Sequence, residues 1–225
     1  MGFITVTHWP IIPVDALHRL ASTPGMAEPE GLWFRAMGVP QNGGVINTEV
    51  WATAVAWQQA NDRFMQQSKC QALSEQYGVE APTFTLQAET MATFTRSDLG
   101  GYPQSVWLNP QTPGNAAFLV FPNITVEDYR RGMAQIGFRE GIDEPAIEGL
   151  LYTAEGPYAK QDWAVLRVWE TIEQRRNYVN KYRHIIRQFI PKGTLIRHEF
   201  SLQHFYFTAA CPTGAHNQIT PGLFH

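Results

Sequence analysis

The sequence predicts an α+β fold in which one βαββαβ unit occurs twice along the chain. Two observations lead to this prediction. Short segments of the first half recur in the second half at a nearly constant spacing of more than 100 residues, and the predicted strands and helices follow the same order in both halves. That spacing is the length of a small domain and lies far above the ~20–50 residues of a solenoid repeat. The 225 residues are therefore expected to contain two fused copies of a small domain.

The repeat is visible in pairs of segments that share apolar and aromatic positions. The pairs are 9–17 with 121–129, 28–34 (EPEGLWF) with 144–152 (EPAIEGLLY), 49–64 with 167–182, and 90–95 with 203–208. The offset is 112 in the first pair, 118 in the second when counted from Gly31 to Gly149, 118 in the third and 113 in the last. Small length changes in a loop and in one helix explain these shifts, as expected when duplicated domains diverge.

The first three elements of each copy follow from local signals. Apolar and β-branched residues predict first strands at 3–9 and 116–121. Helices are expected after Pro13 and Thr125, since proline suits the first helical turn and threonine suits an N-cap. The second strands begin with GLWFRAM and GLLYTAE.

The remaining three elements also correspond. VINTEVWA and WAVLRVWE predict the third strands, and Thr53 and Thr171 start the second helices. Thr171 with Gln174 fits a capping box. PTFTLQAETMATF and GTLIRHEFSLQHFYF predict the last strands, so each copy is a ferredoxin-like βαββαβ unit.

Two such units are expected to pack sheet to sheet. Helices cover one face of each sheet, and the other face must also be buried. Two sheets packed face to face bury both, which predicts a pseudo-dimeric α/β barrel within one chain. The predicted segments are a first unit at 1–96, a linker rich in Gly and Pro at 97–115, a second unit at 116–208 and a tail at 209–225. Trp107 of the linker is expected on a sheet edge, with a lid over a cavity mouth as the alternative.

Composition and charge exclude several classes of protein. The chain has 44% apolar and 16% charged residues, which predicts a folded core. A net charge of −3 provides no basic surface for a phosphate backbone, so nucleic acid is not an expected partner. No signal peptide or membrane span is predicted, and Cys70 and Cys211 resemble reduced thiols. These features indicate a cytoplasmic protein.

The junction of the third strand and second helix resembles the antibiotic-biosynthesis-monooxygenase family of the dimeric α/β-barrel superfamily. The second copy keeps the family's Trp-acidic-Thr-x-acidic pattern at Trp169, Glu170, Thr171 and Glu173. The first copy departs from it with Ala52 and Val55 at the acidic places. The resemblance covers nearly the whole chain, once per half.

This resemblance implies a small-molecule oxidoreductase of secondary metabolism that oxidises aromatic or polyketide-type substrates with O2 and without a cofactor. The superfamily also includes heme-degrading enzymes, heme proteins of the chlorite-dismutase type and ligand-binding members without catalysis. A heme-binding or heme-processing protein and a non-catalytic ligand-binding pseudo-dimer therefore stay open. The expected partner is a small hydrophobic or aromatic ligand, bound by a monomeric pseudo-dimer or by a homodimer of pseudo-dimers.

The third strand suggests where polar chemistry lies. Asn47, Glu49 and Trp51 share one face because side chains alternate along a strand. The other face is apolar in both copies, so we expect it to pack against the helices and the polar face to look into the barrel. Glu49 would then pair across the barrel with Arg167, its counterpart in the second copy. Two separately solvated charges are the alternative.

The predicted catalytic residues are His8, Arg35, Asn47 and Glu49. A base on an apolar wall suits proton removal from a phenol or an activated C–H, and His8 stands where the second copy has Val120. A hydrogen-bonded core histidine is the alternative. Arg35 would hold a phenolate or carboxylate, or form an ion pair with Glu49. The predicted substrate-binding residues are Trp51, Trp57, Tyr178 and His184, with a surface position as the alternative for His184.

No metal or nucleotide cofactor is predicted. His198 and His204 lie six residues apart on one strand, or ~20 Å at ~3.3 Å per residue, too far apart to share one metal ion. HExxH, GxGxxG and P-loop patterns are absent from the sequence. Ligation of heme by a single histidine stays open.

Overall fold

The computed structural model describes residues 2–21, 29–66, 68–78, 81–96, 98–99, 104–135, 147–159, 161–189, 195–212 and 214–217. Parts of the predictions above fall outside these ranges. They concern residue 28, the linker residues 97 and 100–103, residues 144–146 and the tail beyond 217. No helix in the described ranges is both long enough and apolar enough to cross a bilayer.

The elements of the first unit are β1 (Gly2–Trp9), α1 (Val14–Ala21), β2 (Leu32–Pro40), β3 (Val45–Trp51), α2 (Ala54–Met65), α3 (Ser68–Tyr77), β4 (Phe84–Thr90) and β5 (Ala92–Thr95). A short strand, β6 (Gln104–Trp107), follows. The second unit contains β7 (Gly114–Phe121), α4 (Val126–Gln135), β8 (Leu150–Tyr158), β9 (Asp162–Trp169), α5 (Ile172–Phe189) and β10 (Ile196–Phe207), and β11 (Gly214–Asn217) ends the described chain.

The strands form one antiparallel 11-stranded sheet in the order β11-β5-β8-β9-β7-β10-β2-β3-β1-β4, with β6 also paired to β10. The order β8-β9-β7-β10 in the second unit repeats β2-β3-β1-β4 in the first. The sheet curls towards closure, because the N–H of Met91, just after β4, donates to the carbonyl of Glu155 in β8 at 2.8 Å. This confirms the predicted α+β fold of two ferredoxin-like units in a pseudo-dimeric α/β barrel.

Strands that pass from one unit to the other join the two units. β10 pairs with β7 through Ile196–Leu202 and with β2 from Phe200 to Phe207, across a bulge after Leu202. In the same way β4 pairs with β1 of the first unit, and β5, which follows β4 directly, pairs with β8 of the second unit. β6 then pairs with β10, and β11 pairs with β5, so the units exchange short arms. The sequence does not predict these two arms, and Trp107 of β6 lies in register with His204.

The predicted helix caps are confirmed. Thr53 accepts a hydrogen bond through Oγ1 from the N–H of Ala56 at 3.1 Å, at the start of α2. Thr171 Oγ1 accepts from the N–H of Gln174 at 3.2 Å and donates to its side-chain oxygen at 2.9 Å. The second helices therefore begin at equivalent residues, which fixes the 118-residue correspondence between α2 and α5.

The prediction of which face looks into the barrel is wrong. Ile46 and Val50 of β3 lie in one buried cluster with Leu166 and Val168 of β9, between the first-unit and second-unit halves of the sheet. The opposite face, with Asn47, lies against the helices. The physical reason is that two sheets packed on each other need apolar inner faces on both sides. By contrast, α2 has no buried residue, so the space beneath it tolerates polar groups.

Candidate functional site

A pocket of about 80 Å³ lies between the sheet of the first unit and helices α1 and α2, and we call it the first-unit pocket. Its walls include five of the eight predicted site residues, namely Arg35, Asn47, Glu49, Trp51 and Trp57. They meet there because β2 and β3 pair in a register that sets Arg35 opposite Glu49, with Asn47 and Trp51 flanking Glu49 on the same strand face.

The floor of the first-unit pocket is a nearly buried ion pair. Arg35 Nε donates to Glu49 Oε1 at 2.9 Å, and the two side chains are 10% and 12% exposed. Trp51 Nε1 donates to the other oxygen of Glu49 at 3.2 Å. The ion-pair interpretation of Arg35 is thereby confirmed. The two Nη nitrogens of Arg35 donate to no acceptor among the described residues, so they are available to an anionic oxygen of a ligand.

Asn47 places an unused acceptor in the same pocket. Its Oδ1 atom is buried and receives no hydrogen bond from the described part of the chain. A buried polar atom without a partner costs about 1–3 kcal/mol, so native proteins rarely retain one without a reason. The pocket thus presents an unmatched acceptor beside an arginine with spare donors.

Aromatic side chains form the apolar walls. Trp51 is buried on β3, and Trp57 of α2 is half-buried with its ring 5.6 Å from that of Phe3. An apolar pocket with a few polar groups on one side is the usual form of a small-molecule site. Asn61 and Ala60 of α2 complete the wall, and the sequence analysis missed both residues.

The equivalent space in the second unit is filled by tyrosines. Tyr178 takes the place of Ala60, and Arg167 Nη1 donates to its hydroxyl at 3.3 Å. Tyr129 takes the place of Leu17, donates to the carboxylate of Glu155 and stacks on Trp163 at 4.6 Å. Tyr178 is therefore remote from the first-unit pocket, although the sequence analysis grouped it with that pocket's residues.

These contacts also overturn the predicted pairing of Glu49 with Arg167. Each charge lies on the helix side of its own unit, so the two do not meet inside the barrel. Burial alone would lower the pKa of Arg167. The facing Tyr178, Tyr129 and Glu155 outweigh that effect and hold the pKa above its ordinary value.

His8 lies apart from the other three predicted catalytic residues. It lies on the inner face of β1, whereas Arg35, Asn47 and Glu49 lie on the outer face of the same sheet. His8 is 5% exposed, and its Nε2 lies 3.0 Å from the carbonyl oxygen of Gly43. It is thus a hydrogen-bonded histidine of the barrel interior.

His8 borders a second cavity, which we call the barrel-mouth cleft. This cleft has a volume of about 610 Å³ and also contains Phe84 and His198. Burial, with a smaller contribution from His8, lowers the pKa of His198 below its ordinary value. The sequence analysis did not select His198, because only the folded chain brings His198 of β10 against Phe84 of β4, the neighbour of His8. His184, predicted to bind substrate, lies exposed on α5.

The first-unit pocket does not fit a heme group. At about 80 Å³ it is smaller than the ~150 Å³ cavity that holds one benzene molecule, and the described part of its lining contains no His, Cys or Tyr. Across the described ranges, no three His, Cys, Asp or Glu side chains lie close enough together to hold a metal ion.

Comparisons with known proteins support the fold. No protein-family model and no curated protein matches the chain. A candidate monooxygenase from Fusobacterium nucleatum is 11% identical with a TM-score of 0.61, covering 97% of this chain and 98% of its own. An anthrone oxidase-like protein is 12% identical with a TM-score of 0.50, covering 99% and 96%. Chlorite dismutase from Candidatus Nitrospira defluvii is 9% identical with a TM-score of 0.52, covering 92% and 91%.

At such low identities these similarities establish the fold. The chain shares the fold of these neighbours, a pseudo-dimeric α/β barrel with both ferredoxin-like units in one polypeptide. Its neighbours include proteins named as candidate monooxygenases, an anthrone oxidase-like protein and a chlorite dismutase.

Proposed function

We propose that the chain is an oxidoreductase of the cofactor-independent monooxygenase type, which oxidises a small phenolic ring with O2 in the first-unit pocket. One observation carries the proposal. The buried Asn47 acceptor and the spare donors of Arg35 lie together in a pocket walled by tryptophan. The names of two structural neighbours, a candidate monooxygenase and an anthrone oxidase-like protein, favour the same reaction class.

The pocket volume restricts the substrate. About 80 Å³ is little more than half of a benzene-sized cavity, so the enclosed space between the sheet and α2 admits only the hydroxyl-bearing edge of one ring. The rest of the substrate must lie outside the enclosed space. We therefore assign a single-ring phenol, or one exposed ring of a larger polyketide, as the substrate class.

The residues have separate roles in the proposed reaction. Asn47 Oδ1 orients the substrate by accepting from one of its donors, while the phenol hydroxyl transfers its proton to Glu49. The Nη donors of Arg35 stabilise the resulting phenolate. Trp51 and Trp57 hold the ring between apolar surfaces and exclude water.

The oxidation balances with O2 as the only co-reactant. The phenolate passes one electron to O2, and the phenoxyl radical and superoxide combine to form a carbon–oxygen bond at the ring carbon opposite the hydroxyl. Glu49 returns its proton to the peroxide. Cleavage of the O–O bond with loss of the ring C–H proton then yields a quinone and water.

Oxygen uptake by the purified chain with single-ring phenols that carry a hydrogen opposite the hydroxyl tests this function. We expect Asn47→Val, which introduces the residue of the second unit at this position, to lower uptake roughly tenfold, the effect of one lost substrate hydrogen bond. The same change at exposed Asn177 of α5 is the matched control and should leave uptake unchanged.

Three results would overturn the proposal. Equal uptake by the wild type and Asn47→Val would remove the pocket from the reaction. Saturable phenol binding without oxygen uptake would indicate a ligand-binding pseudo-dimer instead. A Soret band in the purified protein would favour a heme protein.

A further inference from the structure

The barrel-mouth cleft exists because two neighbouring strands differ in length. β10 pairs with β7 from Ile196 onward, but its pairing with β2 starts only at Phe200, opposite Pro40. The segment Ile196–Glu199 therefore extends beyond the end of β2 and leaves a lateral opening into the barrel. The volume of about 610 Å³ lies within the ~300–1,000 Å³ of typical ligand sites.

Inside the cleft, three rings from two units stack in sequence. The ring of His8 lies 5.5 Å from that of Phe84, with a tilt of 27°. Phe84 in turn lies 4.4 Å from His198, with a tilt of 30°. These near-parallel rings form an apolar platform in which Phe84 occupies the place of one planar ring between the two imidazoles.

His8 adds a hydrogen-bond acceptor to this platform. A carbonyl oxygen only accepts hydrogen bonds, so the contact with Gly43 places a proton on Nε2 and leaves a lone pair on Nδ1 in the neutral ring. Nδ1 is buried and has no partner among the described residues. Phe84, which is only half-buried, is the neighbour that must turn to expose it.

The rim of the cleft has an excess of positive charge. Glu199 binds Arg197 at 2.5 Å and also binds Arg175, so two guanidinium groups share one carboxylate. The side chain of Arg197 is 60% exposed and lines the cleft. An anionic group on a ligand would balance this charge.

The pseudo-symmetric position shows that the barrel does not need these polar residues. Val120 stands in place of His8, and the strand registers set Leu86 in place of His198. Ile196 likewise replaces Phe84, so the equivalent set is aliphatic and packs against the main core cluster. The imidazoles and the stacked platform occur in one of the two positions only.

We propose that the barrel-mouth cleft is a second ligand site, which binds a planar aromatic acid carrying a hydroxyl or N–H donor. The ligand ring takes the place of Phe84 against His198, the carboxylate binds Arg197, and the donor group binds Nδ1 of His8, which the turn of Phe84 exposes. This site lies on the opposite face of the sheet from the first-unit pocket, and its existence does not depend on the proposed oxidation.

Titration with salicylate, followed through the imidazole NMR signals and by calorimetry, tests the site. Salicylate supplies the ring, the carboxylate and the donor, whereas benzoate lacks the donor and cyclohexanecarboxylate lacks the planar ring. We expect saturable binding in the order salicylate, benzoate, cyclohexanecarboxylate, with shifts of the His8 and His198 signals.

Variants locate the binding. We expect Arg197→Gln to raise the Kd for salicylate roughly tenfold, as for a lost charge-assisted hydrogen bond, and His198→Leu to raise it by a few fold. Arg176→Gln, an exposed arginine of α5, is the charge-matched control and should leave Kd unchanged. Asn47→Val separates this binding from phenol binding in the first-unit pocket, because only the latter should respond to it.

The contrary results are distinct from a failure of the proposed oxidation, because no turnover is measured. An equal increase in Kd for Arg197→Gln and Arg176→Gln would show that the net charge of the chain, and not a contact with Arg197, sets the affinity. Loss of binding in Asn47→Val would move the ligand to the first-unit pocket. The absence of saturable binding in the folded wild type, or a Soret band that His198→Leu abolishes, would also overturn the proposed site.

Discussion

The two units differ most in the space between sheet and helix. In the first unit, Ala60 and Leu17 leave a pocket above the Arg35–Glu49 pair. In the second unit, Tyr178 and Tyr129 stand at those two positions and bind Arg167 and Glu155. The same backbone thus supports an open site in one copy and a packed interior in the other. A duplicated domain can keep one copy as a scaffold while the other retains a cavity.

Exchanging residues between equivalent positions tests this comparison. We expect the largest effect from Arg35→Thr, which introduces the residue of Thr153 and leaves Glu49 buried without its cation. Removal of one partner from a buried pair costs about 3–5 kcal/mol. Urea unfolding should show this loss, whereas Arg19→Thr in the exposed Arg19–Asp15 pair should cost less than about 1 kcal/mol. Equal effects would show that the Arg35–Glu49 pair contributes no more than a surface contact.

A smaller effect of opposite sign is expected at Ile11. Ile11 and its counterpart Asn123 both have positive φ, at 70° and 54°. Asparagine tolerates this region, whereas a β-branched residue is strained there. Because Ile11 is also 69% exposed, Ile11→Asn should stabilise the chain by about 1 kcal/mol. Val55→Asn, an exposed apolar position in α2, is the control and should give no gain. Destabilisation by Ile11→Asn would show that Ile11 makes a contact that offsets the strain.

The smallest effect is a change in how stability depends on pH. Burial and His8 lower the pKa of His198 in the folded state below the ordinary 6.5. The unfolded chain then binds this proton more readily, so stability is full above pH 6.5 and falls as the pH drops from there towards the lowered pKa. His198→Leu, which introduces the residue of Leu86, should reduce this fall in thermal unfolding series. An unchanged pH dependence would contradict the burial of His198 against His8.

The sequence was sufficient to predict the repeat, the βαββαβ order of the main elements and the helix caps, but it missed α3 and the division of the last strand of the first unit into β4 and β5. These features depend on residues that are close in sequence, such as Thr53 with Ala56, and on a comparison of one half with the other. β6 and β11 could not be predicted, since four residues are too few to show a periodicity and their partners are remote in sequence.

The candidate site was predicted only in part. Strand alternation places Asn47 and Glu49 on one face, but it does not tell which face is inside when both faces are covered. That ambiguity produced the wrong pairing of Glu49 with Arg167 and the grouping of His8 with Arg35. A comparison of Ala60 with Tyr178, both visible in the sequence, could have indicated the open pocket.

The most direct test of the central claim is oxygen uptake with a single-ring phenol by Ala60→Tyr, which places the tyrosine of the second unit into the first-unit pocket. Ala54→Tyr, on the exposed first turn of α2, is the matched control. With both variants folded, we expect Ala60→Tyr to lose at least about tenfold in uptake, because the ring fills the pocket, and Ala54→Tyr to retain wild-type uptake. Wild-type uptake by a folded Ala60→Tyr would contradict the assignment of the reaction to the first-unit pocket.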